Sequence, residues 1–287
     1  MPRNLQIYPL FFAILLLLGC KKESPTAPPQ PILEPDAEAT AELTSIIGPI
    51  SAEAESIFSA DVARLLPPLD SVESELGRAL DQESGVKLYG VIIPYRQSII
   101  TTPGGHIYIG LNHYLGADYD GYNGVFPTYM LHRKTIERLP VDVMQAHLAD
   151  LYPAEFNQSP TLLNRMLYQG ALLESANEQL KAPDETLLGF TTDDLKWCEE
   201  NEANLWKSLL SQDLLYSSDT QLADRLLSPA PNSNQLSGNA PGQAVIFLGL
   251  KIVRAYCKAT GATPREILEK KLYNDNQTLI KSEYAPV

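Results

Sequence analysis

Apolar residues recur along this chain at three different spacings. Residues 10–18 are unbroken apolar. From residue 38 to 66 the spacing is helical, with Leu43, Ile46 and Ile47 followed by Ile57, Val62, Leu65 and Leu66. Gly48-Pro49 predicts a break between two helices, and Pro67-Pro68 ends the second. A third helix is expected over 69–82, closed by Gly85. The pattern then changes. KLYGVIIPYRQSIIT and HIYIGLN are rich in Val, Ile and Tyr without a helical period, and Thr102-Pro103-Gly104-Gly105 between them is turn chemistry. Two or three strands joined by tight turns are predicted, followed by a Gly/Asp/Asn-rich loop over 114–127.

From Val141 the chain reads as helical almost to its end. VDVMQAHLADLY is short and amphipathic, and residues 161–180 place Leu162, Leu163, Met166, Leu167, Leu172 and Leu173 on one face. Thr191 is an N-cap with acids in the turn behind it, starting one continuous helix through Ser211. Another helix follows Pro241-Gly242 and ends at Gly261, and a last one starts at Thr263-Pro264. These elements predict an α+β fold in a single domain over 38–287: a helical lead (38–85), a small β-sheet (86–113) and a predominantly helical body (128–273).

The start of the chain needs a different account. Its apolar run is far short of the roughly 20 residues that span a bilayer as a helix. With Arg3 before it, the run has the form of a signal-peptide core. Leu17-Leu18-Gly19-Cys20 resembles the bacterial lipobox, so residues 1–19 are expected to be removed and Cys20 lipidated. Stable anchoring takes more than one acyl chain, which a triacylated Cys20 would provide. Residues 20–37 are rich in proline and polar residues and are expected to form an extended, solvated spacer.

The net charge is −13, or −14 once residues 1–19 are gone, because Arg3 is their only charged residue. Such a balance argues against nucleic acid as a partner and against adsorption to anionic lipid through a basic face. Cys198 and Cys257 each sit among apolar residues of a helical pattern, where a reduced buried thiol is a simpler reading than a disulfide.

Catalytic constellations are hard to find. His106, His113, His132 and His147 are the four histidines, and none belongs to an HExxH motif. His106 and His113 flank a predicted strand at a spacing that points them to opposite faces. There is no GxSxG elbow. Cys198 is followed by Glu199 and Glu200, whose charge disfavours a thiolate. No phosphate-binding glycine loop occurs, and Asp118–Asn123 lacks the closing glutamate of an EF-hand. Trp197 and Trp206, interleaved with Leu195, Cys198, Leu205 and Leu209, read as core and flank, with an aromatic ligand groove as the sharper alternative. No cofactor is implied.

GLNHYLG (110–116), FPTYMLHR (126–133), TLLNRMLYQGALL (161–173), GFTTDDLKWCEENEANLWKSLL (189–210), LLYSSD (214–219) and APGQAVIFLGLKIVRAYCK (240–258) occur in that order. Together they resemble the blocks of the gliding-motility lipoprotein GldB family, with Asn112 standing where the family has aspartate. That family is also similar to zinc-peptidase-like proteins. By that likeness, 141–152 occupies the HExxH place and keeps only His147, while Gln169 stands where a metal-binding glutamate would be. The resemblance thus implies a degenerate zincin-like fold without its metal site. It implies a non-catalytic lipoprotein of gliding motility or the linked secretion machinery, anchored in the cell membrane or outer membrane and facing the periplasm. Its partners would be proteins of a motility or secretion complex.

The alternative is a metal-dependent hydrolase of peptides or cell-wall material, with His147, Gln169 and Glu174 converging. Gln169 and Glu174 lie five apart on one helix, about 140° around its axis, which opposes convergence. The candidate groove residues are His147, Gln169 and Glu174 for such a hydrolase, and Trp197 and Trp206 for a third possibility, a ligand-binding module.

Overall fold

The computed structural model describes residues 28–80, 85–93 and 97–286. The apolar leader and Cys20 lie outside the described residues. Helices α1 (Ala37–Ile47), α2 (Ala52–Leu65) and α3 (Asp70–Leu80) form the lead. Asp36 caps α1 by accepting the Ala39 N–H at 2.9 Å, and Gly48, with φ of 79°, ends it at the expected break.

Four strands make one sheet: β1 (Ile32–Leu33), β2 (Lys87–Val91), β3 (Ile99–Thr101) and β4 (His106–Gly110), in the order β1-β2-β4-β3. Only β3 and β4 form the expected hairpin, turning at Gly105, whose φ is 78° and whose N–H reaches the Thr102 carbonyl at 3.0 Å. β2 runs parallel to both β1 and β4. The expectation of tight turns throughout is therefore corrected, because parallel neighbours cannot be joined by one.

β1 also corrects the spacer. Residues 28–33, expected to be solvated, dock on the domain instead. The Gln30 N–H bonds the Glu73 carbonyl at 2.9 Å, the Ile32 N–H bonds Glu73 Oε1 at 2.8 Å, and Ile32 pairs with Leu88. Gly77 of α3 makes room, since a Cβ there would stand 2.2 Å from the Pro28 carbonyl oxygen. Short runs without periodicity can still pair at a sheet edge through backbone groups alone.

The helical body comprises α4 (Leu139–Leu151), α5 (Leu162–Leu180), α6 (Asp184–Leu188), α7 (Thr192–Glu200), α8 (Glu202–Ser211), α9 (Thr220–Leu227), α10 (Ala244–Thr260), α11 (Pro264–Glu269) and α12 (Gln277–Ser282). The α+β reading holds. Thr161, Thr191 and Thr263 each close a capping box. The helix expected to run unbroken through Ser211 is two, divided at Asn201, where the side-chain amide bonds the Trp197 carbonyl at 2.9 Å. Asparagine gives the backbone a local alternative to the helical ladder. Cys198 and Cys257 are free thiols, and burial, more than the nearby Asp194 and Glu199, pushes Cys198 up to about 12.

A small core lies between α1 and the sheet, around Leu43, Tyr89, Ile100 and Tyr108. There Glu42 accepts hydrogen bonds from the Tyr108 hydroxyl at 2.6 Å and from His106 Nδ1 at 2.8 Å. Those donors, Tyr108 foremost, hold the Glu42 carboxyl below its ordinary value. The main core surrounds α5 and α10. At their crossing a Cβ on Gly249 would stand 2.3 Å from the Met166 carbonyl oxygen, and one on Gly170 would stand 2.5 Å from the Gly249 carbonyl. The two backbones touch, so no larger residue fits without parting the helices. Gly249→Ala is expected to destabilise the fold by about 3 kcal/mol through overpacking, measured as a lowered denaturant midpoint.

Candidate functional site

A cleft of about 690 Å³ opens between α4, α5, the start of β3 and the segment 125–134. α4 contributes Asp142, Gln145, Ala146 and Ala149, which lie along one face at helical spacing. α5 contributes Tyr168, Gln169 and Leu172, and the sheet edge contributes Ser98 and Ile99. His113, Phe126 and Lys134 close the remaining side.

Polar contacts fix this wall from behind. Arg138 Nε donates to Asp142 Oδ1 at 2.7 Å, and its Nη1 donates to the carbonyls of Thr186 and Leu187, tying α4 to α6. The Tyr114 hydroxyl donates to Asp142 Oδ2 at 3.0 Å. Both Asp142 oxygens are therefore engaged. Burial, reinforced by Asp142, raises the Tyr114 phenol well above its usual value. Lys134 is only 9% exposed. Its Nζ lies 3.4 Å from His113 Nδ1 and 4.3 Å from the centre of the Phe126 ring. Burial, more than the nearby Arg133, holds its pKa below that of an ordinary lysine.

Of the five candidate groove residues only Gln169 lines the cleft, and of the four histidines only His113 does. His147 is buried on α4 and is absent from the cleft wall. Glu174 points to Arg254, whose Nε it accepts at 2.7 Å, while Asp184 takes the two terminal nitrogens of the same guanidinium at 2.6 and 2.7 Å. Trp197 and Trp206 pack on the main core, and Trp206 meets Tyr284 edge-on at 5.3 Å. The five residues do not form one groove.

The positions that do face the cleft repeat a known spacing. Gln145, Ala146 and Ala149 stand at i, i+1 and i+4, which is the spacing of the first histidine, the glutamate and the second histidine of HExxH. Among the described residues, no group of three His, Cys, Asp or Glu is placed to hold a metal. Gln145, Ala146, Ala149 and Lys134 were silent in the sequence because Gln, Ala and a single Lys carry no motif. The i, i+1, i+4 register against Gln169 was the one available signal.

The family model described as gliding motility protein GldB matches residues 9–286. The chain belongs to the GldB family. No curated protein and no solved structure matches it. Asn112 has a local structural role in this GldB-family chain. Asn112 is fully buried; its Oδ1 accepts the Ile93 N–H at 3.0 Å and its Nδ2 donates to the Ile93 carbonyl at 2.9 Å. A carboxylate cannot make the second bond. Asn112→Asp is expected to cost about 2 kcal/mol at neutral pH, from a buried carboxylate facing a carbonyl. Its carboxyl would titrate above the ordinary range, so stability should return as pH falls and the protonated form donates to Ile93. Thermal midpoints compared between pH 7 and pH 5 test both the loss and its direction.

Proposed function

We propose that this GldB-family protein is a lipid-anchored, non-catalytic accessory component of gliding motility or the linked secretion machinery, held at the membrane through Cys20 and acting by binding a protein partner. The observation that carries the reading is the composition of the cleft. Where a metallopeptidase has two imidazoles and a glutamate at HExxH spacing, this cleft has a carboxamide and two methyl groups. Gln169, facing them from α5, is a second carboxamide. Zinc is held by thiolate, imidazole or carboxylate, and no neutral amide or methyl supplies the charge or the general base that hydrolysis needs. The lipobox at Leu17-Leu18-Gly19-Cys20 and membership of a lipoprotein family support the anchor.

Elemental mass spectrometry of the purified mature protein, dialysed without chelator, is expected to find no stoichiometric metal. One zinc per chain would overturn the non-catalytic reading. Cys20→Ala is expected to move the protein from the membrane fraction to the soluble fraction, and persistence in the membrane fraction would overturn the anchor.

A further inference from the structure

We infer that the cleft beside β3 is a docking groove for an extended segment of a partner protein, with one acidic side chain of that segment seated on the Lys134 ammonium. The inference rests on the partner-binding reading above and names the chemistry of what is bound.

The first support is the sheet edge. Among the described residues β3 is the last strand of the sheet and pairs only with β4. The Gly110 N–H bonds the Ser98 carbonyl at 2.8 Å and the Thr102 N–H bonds the His106 carbonyl at 3.0 Å. Bonded pairs alternate in an antiparallel ladder, so Ile99 and Thr101 turn their N–H and C=O groups away from β4. Among the described residues no hydrogen bond takes up those groups. An unpaired edge of this kind accepts another strand through backbone bonds alone.

The second support is dimension. From Asp142 to Ala149, α4 walls the cleft over about 10 Å at its rise of roughly 1.5 Å per residue. An extended chain at roughly 3.3 Å per residue covers that in about three residues. From the sheet edge, Gln97, Ser98 and Ile99 reach the cleft, with β3 continuing to Thr101 beyond it. The amide of Gln169 and the Nε2 of Gln145, whose Oε1 is turned to Arg138 at 3.3 Å, can serve a passing backbone from the opposite wall.

The third support is charge. Among the described residues no carboxylate forms an ion pair with Lys134 Nζ, and the acid on the cleft wall that favours its charge from a distance, Asp142, is engaged by Arg138 and Tyr114. A buried ammonium without a counter-ion is costly, and an incoming carboxylate supplies the missing partner. On a chain of net charge −13, this desolvated cation is the feature that selects an acidic side chain.

Intact mature protein in detergent micelles should be offered two libraries of short random peptides with amidated C-termini, one complete and one lacking Asp and Glu. Retention is expected only from the complete library. For a retained peptide, Lys134→Met is expected to weaken binding roughly thirtyfold, the scale of a buried charge pair losing one partner. Replacing the peptide's own acid by its amide should do the same, which keeps the test independent of whether the variant folds. Backbone N-methylation should also abolish binding. Equal retention of both libraries, no retention, or indifference to any of these changes would overturn the inference. Peptides recovered cleaved would instead overturn the non-catalytic reading and leave the groove standing.

Discussion

The contact on which this structure depends is the meeting of α5 and α10 at Gly170 and Gly249, where backbone touches backbone. Glycine weakens a helix by about 1 kcal/mol relative to alanine, so two such residues at one crossing need a compensating gain. Close approach supplies it: the flanking Met166, Leu167, Phe247 and Leu250 interdigitate and are almost fully buried. With α10 fixed, α5 has one position, α4 packs on α5, and the sheet packs on α4. Gln169 immediately precedes Gly170. The crossing that closes the core therefore also sets the depth of the one α5 side chain that carries an amide into the cleft.

A second layer of constraint is polar. Arg138, just before α4, binds Asp142 in its first turn and reaches the Thr186 and Leu187 carbonyls of α6, while Arg254 joins Glu174 of α5 to Asp184 at the start of α6. The short α6 is thus held between two guanidiniums. These bonds satisfy orphan carbonyls and carboxylates in half-buried places, where leaving one unmade would cost more than the bond contributes. Glu174, a plausible ligand by residue type, is spent on this bracing.

The long periodic elements were legible because burial repeats along them. α5 and α10 fall where Leu, Met and Ile recur, and the threonines at 161, 191 and 263 close their helices as capping chemistry requires. What escaped was decided by partners distant in sequence. Ile32–Leu33 carry no period of their own and become a strand only because β2 and Glu73 receive them. The parallel pairing of β2 with β4 is likewise invisible in two Val/Ile/Tyr runs that would alternate in either orientation. The break at Asn201 was local, yet a helix-compatible residue on a strongly amphipathic stretch hid it. Of the cleft wall, Gln169 and His113 are the residues whose type marks them in the sequence. Histidine drew attention to His147, whereas helix geometry turns Gln145, Ala146 and Ala149 to the cleft and His147 into the interior.

The cleft's chemistry is therefore one of subtraction and addition together. Carboxamides and methyls line the faces that α4 and α5 turn to the cleft. Beside them is Lys134, buried and, among the described residues, without an ion-pair partner. A methionine there would fill similar volume with no desolvation cost, so packing alone gives no reason for an ammonium at that place. A buried charge kept out of any internal ion pair, in a cleft next to an open strand edge, is stabilised when a ligand brings the opposite charge. That difference between the empty and occupied states gives the cleft its discrimination. A neutral segment could use the edge of β3 equally well, but would leave Lys134 with only His113 and the Phe126 ring beside it.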